Sequence, residues 1–161
     1  SGSRPASCSR WTNTGRADAT ALPVLVHLEQ EAGLLPDPIR RLAALGGQDV
    51  ADRLRLSRQD ARRLHALRGG IGSGADAPEL AYRLGADMAL DVLLLRGALM
   101  GVPPPAGARD ALDLGAGARF PVTARDLMPA YQGAALGERL AELESRWIAS
   151  GFRLTRQELL A

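Results

Sequence analysis

The residues best suited to chemistry in this sequence are its arginines. All 20 basic residues are arginine, and none is lysine. A guanidinium group can bind a phosphate or a carboxylate through two parallel hydrogen bonds, which an ammonium group cannot do. A GC-rich genome produces the same bias without any functional reason. Composition alone therefore leaves both interpretations open.

The arginines are densest between residues 51 and 68. Six of them lie in this segment, and only two acidic residues oppose them. Arg58 and Arg62 are four residues apart, so on a helix they share one side, with Arg63 beside them. Like charges at this spacing repel, and a bound anion or a nearby carboxylate would relieve the repulsion. The segment is typical either of a polyanion-binding surface or of a solvated helix face.

Residues that usually titrate or bind metals at enzyme sites are scarce. The sequence has two histidines, His27 and His65, and one cysteine, Cys8. It contains no H-E-x-x-H, G-x-S-x-G or D-x-D motif. We therefore predict no catalytic residue and no metal site, and a single cysteine cannot form a disulfide within the chain.

Two aspartate pairs keep an enzyme among the hypotheses. Asp49 and Asp52 are three residues apart, as are Asp110 and Asp113, and either pair could hold Mg²⁺. Aspartates near the start of a helix more often complement the helix dipole. A stand-alone hydrolase or transferase that uses these pairs is one hypothesis for function.

Helix signals follow one another along the chain. A capping aspartate, Asp37, stands directly before a proline, and capping patterns begin at Ser57, Thr123 and Thr155. Apolar residues at i, i+4, i+7 and i+11 predict the longest helix over residues 133–150. No segment alternates like a strand for more than about four residues. The sequence predicts an all-α protein, a multi-helix array of about eight to ten short helices with an elongated body and a C-terminal tail lobe.

Local spacing adds three further expectations. The glycine-rich segment at residues 69–74 predicts a flexible hinge. An i,i+4 spacing predicts one ion pair between Arg83 and Asp87 and another between Glu142 and Arg146.

The chain divides into three parts. Residues 1–14 are polar and without periodicity, which predicts a disordered leader, either native or added for expression. Residues 15–102 form a helical body and residues 103–161 a helical tail, separated at the Gly-Val-Pro-Pro-Pro segment that begins at Gly101. No apolar run is long enough to cross a bilayer, and no signal-peptide pattern opens the sequence. With a single cysteine, this predicts a cytoplasmic protein.

The C-terminal third carries a family pattern. The segment FPVTARDLM begins at Phe120, and ALGERLAELESRWIASGFRLTRQELL begins at Ala135. Together they resemble the end of bacterial CCA-adding enzymes, the tRNA nucleotidyltransferases of the poly(A) polymerase family. Upstream helical segments are also similar, so the resemblance covers residues 15–161, with Ala124 standing where the family has glycine. The matching positions in the two segments are Phe120, Pro121, Thr123, Asp126, Leu127, Leu136, Gly137, Leu140, Leu143, Glu144, Trp147, Ile148, Phe152, Arg156, Leu159 and Leu160.

The resemblance implies that this chain is the body and tail of such an enzyme and is inactive alone. The catalytic head, with its G-S-x-R-x-G loop and metal-binding D-x-D motif, would lie elsewhere in the parent chain. That head would use Mg²⁺, CTP and ATP, so no cofactor is expected in this fragment. The body and tail would hold tRNA by the backbone of its acceptor stem and elbow. The implied partners are therefore tRNA and the N-terminal catalytic head of the same parent chain. No association with a membrane is expected.

Backbone recognition of RNA needs arginine side chains at loops and helix starts rather than stacking aromatics. Phe120, Trp147 and Phe152 are accordingly predicted to lie in the core. The predicted RNA-binding residues are Arg58, Arg62, Arg63, Arg119, Arg125, Arg139, Arg146, Arg153 and Arg156. The rival hypothesis is a helical protein–protein interaction module whose arginine-rich face binds acidic partners.

Overall fold

The computed structural model describes residues 19–47 and 49–161, and within them it contains ten α-helices and no strand. The all-α prediction is therefore confirmed. The leader predicted at residues 1–14, which includes Cys8, lies outside the described residues. In the part of the chain that is described, no helix has both the length and the apolar character needed to cross a bilayer. The helices are α1 (Leu22–Glu31), α2 (Pro38–Leu45), α3 (Val50–Arg53), α4 (Arg58–Gly72), α5 (Ala77–Leu84), α6 (Ala86–Met100), α7 (Ala108–Gly117), α8 (Ala124–Leu127), α9 (Gly133–Ala149) and α10 (Arg156–Leu160).

The described residues form two compact units. The first contains the described residues up to Ser73 together with Asp91–Pro104, and the second contains Gly74–Leu90 and Pro105–Ala161. The boundary predicted after residue 102 lies close to the peptide bond between Pro104 and Pro105, where the chain enters the second unit for the last time. The segment Gly74–Leu90, which falls within the predicted body, belongs to the second unit.

Four of the helix starts follow the predicted capping signals. The Asp37 carboxylate accepts a hydrogen bond from the Arg40 N–H at 2.8 Å, and the Ser57 hydroxyl accepts one at the start of α4. Thr123 and Thr155 each form a reciprocal capping box with the acidic residue three positions later. These bonds satisfy backbone N–H groups that the first turn of a helix leaves without a partner.

Helix α4 continues further than its glycines suggest. It runs to Gly72, so the flexible hinge predicted at residues 69–74 is wrong for residues 69–72, while Ser73 and Gly74 follow the helix where the chain passes from one unit to the other. Leu67 and Ile71 are four residues apart and almost fully buried, which extends the apolar side of the helix through its last turn. The Arg96 guanidinium also donates to backbone carbonyls at this end of the helix, at 2.7 Å. Packing therefore outweighs the low helix propensity of glycine, which costs about 1 kcal/mol per residue.

A buried ionic network joins α1, α2 and α4 to the part of α6 that belongs to the first unit. From α2, Arg40 donates to Glu29 on α1 at 2.8 Å, to Asp91 on α6 at 2.6 Å, and to the Leu35 carbonyl at 2.7 Å. From α4, Arg63 donates to the second oxygen of Asp91 at 2.7 Å. Arg40, Glu29 and Asp91 are each no more than 5% exposed. A buried charge needs partners of opposite sign, and this network supplies them.

Four aromatic rings pack together in the second unit. Trp147 on α9 is 3% exposed, and its ring centroid lies 4.9 Å from that of Phe152 and 5.5 Å from that of Phe120. Trp147 lies in the core as predicted, and Phe120 and Phe152 are partly buried and pack against that core. Tyr82 completes the cluster, and its hydroxyl donates to Glu144 at 2.6 Å. Burial, together with this hydrogen bond, raises the pKa of Tyr82 to about 12.

One predicted ion pair forms with a different partner. Arg83 binds Glu79, four residues before it, at 2.8 Å, and the predicted pair with Asp87 is wrong. Helix α5 ends at Leu84, and Gly85 has a φ of +84°. Arg83 and Asp87 therefore lie on different helices, and the i,i+4 geometry of a single helix does not apply to them.

Candidate nucleic-acid interface

Two of the candidate arginines lie on the exposed side of α4. Arg58 is the first residue of the helix, directly after the Ser57 cap, and Arg62 follows about one turn later. Both residues are exposed, and neither has a carboxylate partner among the described residues. Asp60, which lies between them in sequence, accepts a hydrogen bond from the Ser57 hydroxyl at 2.7 Å. No described carboxylate therefore relieves the repulsion between Arg58 and Arg62.

Arg63 follows Arg62 in sequence but binds carboxylates of its own unit. Its two outer nitrogens donate to Asp37 and Asp91, each at 2.7 Å. Burial lowers the pKa of Arg63, but the two carboxylates raise it by more, so the guanidinium stays charged. The structure therefore separates Arg63 from the exposed pair formed by Arg58 and Arg62.

In the second unit, Arg156 forms an ion pair with the residue that follows Arg125 in sequence. Arg156 on α10 donates to Asp126 on α8 at 2.5 Å, and Arg125 directly precedes that aspartate. The second oxygen of Asp126 accepts hydrogen bonds from the N–H and the hydroxyl of Thr123, at 2.8 and 2.9 Å. Arg125 is exposed and has no carboxylate partner in the described part of the chain. Asp126 thus joins α8 to α10 and leaves Arg125 beside the ion pair.

We expect the Asp126 carboxyl to titrate below its ordinary pKa of 3.8. The Arg156 guanidinium contributes most to this lowering, and the Thr123 hydrogen bonds add to it. Because the pKa is lower in the folded chain than in the unfolded chain, the interaction stabilises the fold above the ordinary pKa. This stabilisation is lost as the pH falls toward the folded value. A carboxyl-carbon NMR titration measures both the wild-type pKa and its rise in Arg156→Gln.

Arg139→Gln is the matched control for this titration, because Arg139 binds Glu142 and not Asp126. It should leave the pKa of Asp126 unchanged. A wild-type value at or above the ordinary one would contradict the prediction, as would equal values in the wild type and Arg156→Gln.

Helix α9 and the turn after it carry three more candidates. Arg139 donates to Glu142 at 2.8 Å, so the pair predicted between Glu142 and Arg146 is wrong. Arg139 and Arg146 both lie about one turn from Glu142, and the shared carboxylate binds only Arg139. Arg146 and Arg153 are exposed, and no described carboxylate pairs with either of them.

Arg119 lies at the edge of a groove in the second unit. Its guanidinium donates to the Ala116 carbonyl in the last turn of α7 and to the Ala118 carbonyl directly after the helix, at 3.0 and 2.8 Å. The groove has a volume of about 490 Å³, and its lining includes Leu114, Phe152 and Leu154 together with Asp113. Arg119 therefore stabilises a helix end, and the mostly apolar lining singles out no class of ligand.

Three of the four paired aspartates lie at helix starts, whereas Asp113 lies in the middle of α7. Asp49 precedes α3 as its N-cap and Asp52 lies in its first turn, while Asp110 lies in the first turn of α7. These positions fit the role of complementing the helix dipole. Among the described residues, no group of three or more His, Cys, Asp or Glu side chains could hold a metal ion.

The nine candidates fall into two groups. Four are held by carboxylates or backbone carbonyls of the chain itself: Arg63, Arg119, Arg139 and Arg156. Five are exposed and have no carboxylate partner among the described residues: Arg58, Arg62, Arg125, Arg146 and Arg153. Comparison of the chain with protein-family models, with curated proteins and with solved structures finds no match.

Proposed function

We propose that this chain is an RNA-holding helical region. It binds tRNA through the backbone of the acceptor stem and elbow, and it positions the 3′ end for nucleotide addition by a catalytic head of the same parent chain. One observation carries the proposal. Five of the nine candidate arginines are exposed and have no carboxylate partner among the described residues, and each can therefore bind a phosphate without breaking a described ion pair.

The placement of the aromatic residues supports a reader of backbone rather than of bases. Double-stranded RNA has a deep, narrow major groove that excludes side chains, so proteins recognise it through phosphates, 2′-hydroxyls and shape. Sequence-specific RNA readers instead stack bases on exposed aromatic rings. Four of the five described aromatic rings pack on one another in the second unit and so support its core, and the fifth, Tyr131, is exposed: the packed rings are Tyr82, Phe120, Trp147 and Phe152.

The choice of tRNA and of the parent enzyme rests on the resemblance of the C-terminal third to CCA-adding enzymes. Mg²⁺, CTP and ATP belong to the catalytic head in this proposal, and the fragment needs no cofactor to bind RNA. A cytoplasmic location follows, because tRNA is matured there in bacteria.

Salt dependence of tRNA binding tests the proposal. We expect the 161-residue chain to bind a transcribed tRNA with an affinity that falls steeply between about 50 and 200 mM salt. Each phosphate contact contributes about 0.7–0.9 to the magnitude of the log–log slope. Arg58→Gln with Arg62→Gln should therefore reduce that magnitude by about 1.4–1.8, as should Arg125→Gln with Arg153→Gln.

The matched control is Arg83→Gln with Arg139→Gln, which also removes two exposed or half-exposed charges. Both of these arginines bind a carboxylate of their own helix, so the slope should stay near that of the wild type. Absence of tRNA binding at low salt would overturn the proposal. Equally tight binding of polyglutamate, with no preference for tRNA, would favour the rival protein-interaction module.

A further inference from the structure

Helix α3 ends in a Schellman motif. The N–H of Arg55 donates to the Asp52 carbonyl at 3.1 Å, and the N–H of Leu56 donates to the Ala51 carbonyl at 2.9 Å. This pair of bonds requires the residue after the C-cap to adopt the left-handed conformation, which usually selects glycine. Arg55 occupies that position with a φ of +51°. The backbone at Arg55 is therefore held in a conformation that residues with a Cβ atom disfavour.

The same chain ends two other helices with this motif and uses glycine both times. After α1, Gly33 has a φ of +68° and donates to the Gln30 carbonyl at 3.0 Å. After α9, Gly151 has a φ of +69° and donates to the Ile148 carbonyl at 2.9 Å. The residue after the C-cap is thus glycine in both of these motifs, although Asp49 and Phe152 also have a positive φ at other positions. The arginine after α3 needs another reason.

Nothing within the described residues supplies that reason. The side chain of Arg55 is exposed, and no described carboxylate or carbonyl accepts a hydrogen bond from its guanidinium. What the side chain adds is a positive charge at the surface. Arg53, at the end of α3, is also exposed and lacks a described carboxylate partner. Strained residues that packing does not explain cluster at functional sites, where strain is tolerated for the sake of the ligand.

Arg55 also lies close to the exposed pair on α4. Three residues of chain cannot separate the Cα atoms of Arg55 and Arg58 by more than about 11 Å. Arg58 and Arg62 are separated by about 6 Å along the helix axis. Four exposed arginines thus lie close together along the chain, at the end of α3, directly after it and on α4, and we call them the α3–α4 arginine surface: Arg53, Arg55, Arg58 and Arg62.

We propose that Arg55 is an RNA-binding residue, and that the α3–α4 arginine surface binds consecutive phosphates of a folded RNA. This inference rests on the proposed function and adds two residues, Arg53 and Arg55, to its site. The high density of arginine between residues 51 and 68 could have identified both from the sequence. The left-handed conformation of Arg55 is what distinguishes it from an ordinary solvated arginine.

Arg55→Gly tests the inference because it should change stability and binding in opposite directions. Relief of the left-handed strain should raise the melting temperature by about 1–4 °C. Loss of one phosphate contact should reduce the magnitude of the salt slope for tRNA by about 0.7–0.9. Arg55→Lys keeps the charge and should retain the slope without the gain in melting temperature. The mirror variant Gly33→Arg places an arginine in the same motif after α1 and should lower the melting temperature.

Arg109→Gln is the matched charge control, since Arg109 is exposed, has no described carboxylate partner and lies outside the α3–α4 arginine surface. It should leave the salt slope unchanged. If the wild type binds tRNA and Arg55→Gly binds it with the same slope, the inference is wrong and the proposed function stands. A lower melting temperature of Arg55→Gly would also overturn the inference. If the wild type binds polyglutamate but no tRNA, both proposals fail together.

Discussion

Arg40→Met is expected to lower the free energy of unfolding by about 3–5 kcal/mol. Arg40 is 4% exposed and donates to two carboxylates, Glu29 and Asp91, which are equally buried. Methionine keeps most of the side-chain volume, so the loss reports the missing charge rather than a cavity. Both carboxylates would then lack one of the hydrogen bonds that stabilise their charge in a dry environment. Urea unfolding followed by circular dichroism measures the change.

Arg41→Met is the matched comparison because it removes the neighbouring arginine of the same helix. Arg41 also binds Glu29, at 2.8 Å, but its side chain is 32% exposed. Arg40 still neutralises Glu29 in this variant, so we expect a loss of about 1 kcal/mol or less. Equal losses in the two variants would show that burial of the Arg40 network does not determine its contribution.

Gly115→Ala is expected to destabilise the chain by about 3 kcal/mol, at the upper end of the range for overpacking. A Cβ atom at this position would lie 2.0 Å from the carbonyl oxygen of Pro78 and 2.7 Å from its carbonyl carbon. Backbone atoms cannot rotate away as a flexible side chain can, so α5 and α7 would have to separate. Thermal unfolding of the variant measures the effect as a loss in melting temperature.

Gly117→Ala makes the same chemical change two residues later in the same helix. A Cβ at Gly117 would meet no heavy atom within 4 Å, and alanine favours a helix by about 0.5–1 kcal/mol relative to glycine. We therefore expect Gly117→Ala to leave stability unchanged or to raise it. A loss in Gly117→Ala as large as that in Gly115→Ala would rule out the close contact with Pro78 as the cause.

The Arg40 network has a consequence for the proposed RNA site. Arg63 joins α4 to the network through Asp37 and Asp91, which holds one side of the helix against the first unit. Arg58 and Arg62 take no part in the described network and stay exposed. A buried ionic network that costs desolvation energy can in this way determine which side of a helix meets solvent.

The helix boundaries of this chain follow from residues close together in sequence. The caps at Thr123 and Thr155 use groups only three residues apart. The apolar residues that α9 buries recur about once per helical turn. The predicted span of residues 133–150 agrees closely with the observed Gly133–Ala149. The fold class could be predicted for the same reason, because capping bonds and helical periodicity are local.

The state of each arginine depends instead on residues far away in sequence. Arg62 and Arg63 are neighbours of identical chemistry, yet Arg63 binds Asp37 and Asp91, which are 26 and 28 residues distant, whereas Arg62 remains exposed. The left-handed Arg55 is likewise visible only in the folded backbone. A guanidinium binds whichever carboxylate the packed helices bring within about 3 Å. Local sequence therefore established the helices, and only their packing separated the arginines that hold the fold from those available to a ligand.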